Sequence, residues 1–224
     1  CYALTMAKRL KGMGSAKYQR DGNPRTSGPG FGVSVHPDVL TKPLTWKAPR
    51  KIFVNSMSDL FHDEVPDAFI AKVFAVMAAT PRHTYQVLTK RFARMRALLN
   101  DSEWRSDVFL RESVLDLCGP ARPLPVWPLP NVHLGVSVEN QQWADLRIPA
   151  LLETPAAVRW LSCEPLLGPV DLDMARCDDH GRRYVAADAD GEEWCTACAA
   201  DGFTGELTYG HWLDPLNGGI NWIV

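Results

Sequence analysis

Four stretches of this chain share one layout. "KIFVNSMSD", "HTYQVLTKR", "NVHLGVSVEN" and "AAVRWLSCEP" each open on an apolar run and close on polar or charged residues. Short apolar, β-branched runs of this kind read as strands buried on both faces. Between the first two lies "PDAFIAKVFAVMAAT", in which Phe69, Ile70, Val73, Phe74 and Met77 recur at helical spacing and make one apolar face. Helical "FARMRALL" follows the second strand, and "QQWADLRIPALLE" follows the third; Asn140 can cap that helix, and Pro149 should kink or split it. A fifth strand, "INWIV", ends the sequence. Parallel strands need a crossover, so strands alternating with amphipathic helices specify β/α units. The opening "YALTMAKRL" reads as a helix that a strand should precede, and "INWIV" as a strand that a helix should follow. The expected fold class is therefore α/β: a parallel β/α partial (TIM-like) barrel, incomplete at both ends, with a small metal-binding insertion.

In such folds ligand groups collect where the parallel strands end. The four endings here are Asn55-Ser56-Met57-Ser58-Asp59, Thr89-Lys90-Arg91, Ser137-Val138-Glu139-Asn140 and Ser162-Cys163-Glu164. Four polar endings in succession favour a mouth lined with ligand groups. Each also has a plainer use. Ser58 and Asp59 can cap or turn, Glu139 and Asn140 can cap the next helix, and Lys90 and Arg91 can be solvated.

The 224 residues, 46% of them hydrophobic, are enough for one core. No apolar run is long enough to span a bilayer, and a cytoplasmic protein is expected. Charge is uneven: residues 1–51 hold ten Lys and Arg against two Asp, whereas 171–206 hold ten Asp and Glu against three Arg. The basic end could face phosphates; otherwise it is a solvated surface. A proline-rich connector, "GPARPLPVWPLP", excludes regular helix and central strand.

The acidic stretch carries Cys177-x2-His180 and, fourteen residues on, Cys195-x2-Cys198. Two short-spaced pairs across a loop can clasp one ion, and this set fits a structural Zn2+ knuckle. Few apolar residues lie between the pairs, so metal would supply the folding energy. His211 could replace His180, an auxiliary iron–sulfur cluster is a second reading, and an acidic loop with unused thiols a third. Residues 1–173 are thus expected to be the barrel core, 174–212 the insertion, and 213–224 the return to a barrel strand.

Cys1 opens the chain, followed by an aromatic residue and alanine at the head of the first helix. With "CYALTMAKRL", "RKIFVNSMSDLFHDEVPD", "QVLTKR", "LGVSVENQ", the following "WAD" and "RIP", "LLETPAAVR" and "LSCEPLLGPVDL", it resembles the phage Gp thirty-seven / Gp sixty-eight family, also described as three-Cys-motif proteins. The likeness covers nearly the whole chain outside 174–212. It implies a radical S-adenosylmethionine-like enzyme holding a [4Fe-4S] cluster, with Cys1 as the last of three thiolate ligands. Relatives carry the other two cysteines just upstream and continue beyond the position of Val224, so this sequence reads as the middle of a longer protein.

The resemblance also distributes roles. Ser56, Ser58 and Asp59 end the strand that often meets the amino group of S-adenosylmethionine. Ser137, Glu139 and Asn140 end the strand that often meets its ribose. Lys90 and Arg91 could hold its carboxylate or a substrate phosphate. Cys163, beside Glu164, could donate a hydrogen atom, although packing ranks above catalysis for so often buried a residue type; Cys118 reads as packing. The phage likeness and the basic end point to a nucleic acid or nucleotide substrate, with no membrane partner. A non-catalytic nucleic-acid- or protein-binding module on the same barrel, contacting through the zinc knuckle, is the alternative.

Overall fold

A computed structural model describes residues 2–110, 126–172, 176–177, 185–187, 193–195, 207–208 and 220–224; for the short strands between 176 and 208 it gives backbone pairing only. Five strands form one parallel sheet in sequence order: β1 (Lys51–Val54), β2 (Thr84–Thr89), β3 (Val132–Ser137), β4 (Val158–Ser162) and, after four short strands, β9 (Trp222–Ile223). The expected strands are thus all present and adjacent, alternating with helices in an α/β fold. The four short strands pair in two antiparallel ladders. β5 (Arg176–Cys177) meets β8 (Leu207–Thr208), and β6 (Val185–Ala187) meets β7 (Glu193–Cys195).

The chain divides into two compact units, residues 1–133 with 154–157, and residues 134–153 with 158–224. In the first, α1 (Tyr2–Gly12) is followed by two single-turn helices, α2 (Pro37–Leu40) and α3 (Lys42–Thr45), then β1, α4 (Asp67–Ala79), β2, α5 (Phe92–Asn100) and α6 (Ser102–Leu110). Helix α4 buries Ile70, Phe74 and Met77 as the spacing predicts. Its inner face is rotated, however, towards Ala71, Ala75 and Ala79, leaving Phe69 and Val73 half-buried. Alanines at four-residue spacing let the helix sit close to its neighbours, and Phe74 meets Trp104 of α6 edge-on at 5.5 Å.

Polar side chains close the lower loops of this unit. The amide of Asn131, only 9% exposed, donates to the carbonyls of Met77, Thr80 and His83. Arg82 donates to the carbonyls of Pro43, Leu44 and Trp46, and His83 accepts from the Arg50 amide while its other ring nitrogen meets the Pro43 carbonyl. Buried backbone groups that would otherwise be orphaned are satisfied in this way.

His133 gives a pH-dependence that can be measured. Its Nδ1 is buried with no hydrogen-bond partner among the described residues. Burial first, and then the nearby Lys51 ammonium, hold its pKa below the ordinary histidine value. A lowered folded-state pKa means that the unfolded chain takes up the proton first as pH falls. The stabilisation is therefore complete above about pH 6.5 and is lost below it. His133→Gln should flatten the decline of the urea midpoint between pH 7 and 5; parallel wild-type and variant profiles would disprove this account.

In the second unit, β3, β4 and β9 pack with α7 (Gln141–Leu152), which runs through Pro149 as one helix rather than splitting. Proline lacks one donor but leaves the turn below it intact: the Pro149 carbonyl still accepts from the Glu153 amide. Gly135 on β3 has the Trp160 ring directly above it, where an added Cβ would lie 2.4 Å from the ring, and Trp160 stacks on Trp222 at 4.5 Å. The side chains of Ile148, Leu151 and Leu161 complete the core of this unit.

Candidate functional site

In the first unit the chain leaves β1 through a turn whose first residue, Asn55, has φ of +62°. Asparagine enters this left-handed region more readily than other residues that carry a Cβ. The Ser58 amide closes the turn on the Asn55 carbonyl at 3.1 Å. Asp59 then locks it. One carboxylate oxygen accepts from the Phe61 amide at 3.0 Å and the Thr89 hydroxyl at 2.7 Å; the other accepts from the Lys90 amide at 3.0 Å and Arg91 Nη1 at 3.3 Å. A single carboxylate therefore joins the end of β1 to the end of β2.

This placement divides the predicted residues of the first unit by role. Asp59 is committed to the scaffold, and Arg91 is drawn to it as an ion pair. Ser56 and Ser58 stand exposed on the locked turn, and the Lys90 side chain is exposed beside it. Two residues absent from the predicted site belong here. Thr89 gives its hydroxyl proton to Asp59 and accepts from the Arg91 amide at 2.9 Å. Tyr2, at the head of α1, donates its hydroxyl to the Ser56 carbonyl at 2.8 Å. The first helix is thereby tied to the turn. Two hydroxyls after β1 and an ammonium after the adjoining β2 suit a polar ligand with an anionic group.

In the second unit the end of β3 is buried. Glu139 is 7% exposed and accepts from Arg147 Nη1 at 2.8 Å; the same nitrogen donates to the Ser137 carbonyl at 2.6 Å. The Arg147 guanidinium lies over the Trp143 ring at 4.1 Å, a cation–π contact within α7. Asn140 caps α7, its side chain accepting from the Trp143 amide at 3.2 Å, as its position predicts. Glu139 and Asn140 thus already serve packing and capping. Arg147 was not among the predicted site residues; an arginine on a helix next to two apolar residues carries no sequence sign that it is buried.

Cys163 follows β4 and is half-buried, with its amide donating to the Val224 carbonyl. Burial pushes its thiol pKa up, so the group stays protonated at neutral pH. That is the form a hydrogen-atom donor needs and the wrong form for a thiolate nucleophile. Glu164 beside it is exposed.

The predicted metal ligands Cys1, His180 and Cys198, and the side chains of Cys177 and Cys195, lie outside the described residues. Among the described residues no three His, Cys, Asp or Glu side chains gather as a metal site. No described helix is long and apolar enough to cross a membrane. A family model for a protein of unknown function, DUF5131, matches residues 1–224. No curated protein and no solved structure matches the chain.

Proposed function

The chain belongs to the DUF5131 family, and from that premise we propose that it is a radical S-adenosylmethionine-type iron–sulfur enzyme acting on a nucleic acid or nucleotide. In this reading the five-stranded sheet is an arc of a β/α barrel, and the phage-associated likeness of its motifs is one of descent. The acidic segment 174–212 carries a structural Zn2+ through Cys177, His180, Cys195 and Cys198.

The observation that carries the proposal is the tether from Tyr2 to Ser56. Tyr2, next along from Cys1, is held against the β1 turn that exposes Ser56 and Ser58. Tyr2 and the hydroxyls of Ser56 and Ser58 thus belong to one strand end, which supports reading the residue before Tyr2 as a ligand there. On this reading Cys1 would supply one soft ligand for iron and two further cysteines the others. Bound there, a [4Fe-4S] cluster and S-adenosylmethionine would supply one-electron chemistry that ends in removal of a hydrogen atom.

The chain's own residues would orient and bind. The Ser56 and Ser58 hydroxyls would accept from the amino group of the cofactor, and Lys90 would pair with its carboxylate or with a substrate phosphate. Asp59 and Thr89 keep that turn in register. In the second unit Cys163, protonated by virtue of its burial, would give its S–H hydrogen to a carbon radical, and an external one-electron reductant with a proton would restore the thiol from the thiyl radical left behind.

The test uses the chain with its natural upstream segment, reconstituted without oxygen. About four irons per cluster, a brown colour and reductive cleavage of S-adenosylmethionine are expected, and Cys1→Ala should abolish all three. Colourless, iron-free protein would overturn the enzyme reading.

A further inference from the structure

Helix α1 has two unlike faces. Ala3 and Ala7 are buried. Gly30 packs there so closely that a Cβ on it would lie 2.7 Å from the Ala7 carbonyl. An exposed side carries Tyr2, Met6 and Arg9, continued by Met13 just past the last helical residue, at spacings of four, three and four residues; Lys8, also exposed, lies about 100° further round the helix from Arg9. Four side chains at that spacing make one stripe about 16 Å long. It contains no acid.

The acids nearby are already matched. Asp21 accepts from Lys11 at 2.5 Å and from the Gly30 amide at 2.7 Å, Asp38 pairs with Lys17 at 3.6 Å, and Glu64 with Arg20 at 3.2 Å. Lys8, Arg9 and Arg25 form no ion pair among the described residues. Three of the ten cations of residues 1–51 are therefore left facing solvent on α1 and the loop held against it; Lys42, Lys47, Arg50 and Lys51 lie further along the chain.

Tyr2 adds what a merely solvated basic face lacks. Its ring is 64% exposed, yet its hydroxyl is fixed on the Ser56 carbonyl. An exposed aromatic ring held in one orientation is a stacking platform that loses little freedom on binding. Cations interleaved with a stacking ring are the pattern that takes a single-stranded polynucleotide, with phosphates on the cations and a base on the ring. A base paired in a duplex could not present its face to Tyr2.

We propose that the exposed face of α1 binds single-stranded nucleic acid, with Lys8 and Arg9 on consecutive phosphates and one unstacked base on Tyr2. The base is then presented to the β1 turn at Ser56. This last step rests on the proposed reading of that turn as the reacting end; the binding itself does not.

The experiment is fluorescence anisotropy of a labelled oligothymidine of about fifteen nucleotides, with the full chain and no iron or S-adenosylmethionine. Binding should weaken with salt, and the log–log slope should shrink by about 0.7 for each phosphate contact removed, so by about 1.4 in Lys8→Ala/Arg9→Ala. Tyr2→Ala should weaken binding about 5- to 150-fold at an unchanged slope, while Tyr2→Phe retains the stacking. Should Tyr2→Ala loosen α1, photocrosslinking of a bromouridine oligonucleotide to the wild type reads the same contact, and crosslinks outside residues 2–13 would count against it. Three results would overturn the inference: no wild-type binding at about 50 mM salt, an unchanged slope in the double variant, or dependence on these residues only for vesicles of anionic phospholipid. Cleavage of S-adenosylmethionine by a chain that binds no oligonucleotide would sink this inference and leave the enzyme reading standing.

Discussion

Replacing Arg147 by methionine should destabilise the second unit by about 3–5 kcal/mol, because it leaves Glu139 buried without its guanidinium. Both partners are nearly excluded from water, with side-chain exposures of 5% for Arg147 and 9% for Glu139. The pair is not stabilising merely because it is charged; desolvation offsets much of the attraction. What makes its disruption costly is that the buried Glu139 charge survives without the arginine. The double variant Glu139→Gln/Arg147→Met should therefore be more stable than Arg147→Met alone, by about 1 kcal/mol or more. Arg147→Lys should rescue poorly, since an ammonium cannot reach the Ser137 carbonyl and Glu139 and still lie flat over Trp143. Urea unfolding followed by near-ultraviolet dichroism of the Trp160–Trp222 stack reads this unit directly. If Arg147→Met and the double variant unfold at the same urea concentration, the surviving charge is not the source of the loss.

That pair also shows where sequence reading stops. The strands and long helices were legible because burial imposes a period: apolar runs for β2 to β4, and three-to-four-residue spacing for α4; β1, expected to be buried, carries the apolar run without the burial, with Phe53 45% exposed. The polar ends of the strands were legible for the same reason, since a buried run has to stop somewhere. What a polar residue does at such an end depends on neighbours from distant parts of the chain. Asp59 reads as a ligand group until Thr89, Lys90 and Arg91, thirty residues on, are seen to donate to it. Asn131 reads as the first residue of the third strand, yet its amide closes three carbonyls of the α4–β2 connection. The shift of the α4 core face towards Ala71 and Ala75 has a similar cause. Alanine carries little weight in an apolar pattern but allows the closest approach between elements. The connection from Tyr2 to Ser56 spans 54 positions and rests on one hydroxyl; an aromatic residue after a cysteine hints at it only through the family resemblance.

Asp59 carries the prediction with the greatest consequence for the site. Asp59→Ala removes an acceptor from four donors at once, two of them backbone amides. Loss of a charged acceptor from several hydrogen bonds should cost about 3 kcal/mol, less than the sum of the separate bonds because the side chains relax. Asp59→Asn should cost about half as much. The amide can keep one oxygen for the Phe61 and Thr89 donors, but its NH2 then opposes the Lys90 amide and the Arg91 guanidinium, donor against donor. The local readout is hydrogen exchange: the Phe61 and Lys90 amides should exchange faster in both variants, and Phe61 less so in Asn. In the alanine variant the Ser56–Ser58 turn loses its hold on β2, and misplacement by about 1 Å is enough to lower turnover about 100-fold. Asp59 is a positioning residue in this account. If the chain is the iron–sulfur enzyme proposed above, S-adenosylmethionine cleavage should accordingly fall much further in Asp59→Ala than iron content does, since the proposed ligand Cys1 is untouched. Full cleavage activity in a variant whose Phe61 and Lys90 amides have lost protection would show that the turn needs no clamp, and would remove Ser56 and Ser58 from the site.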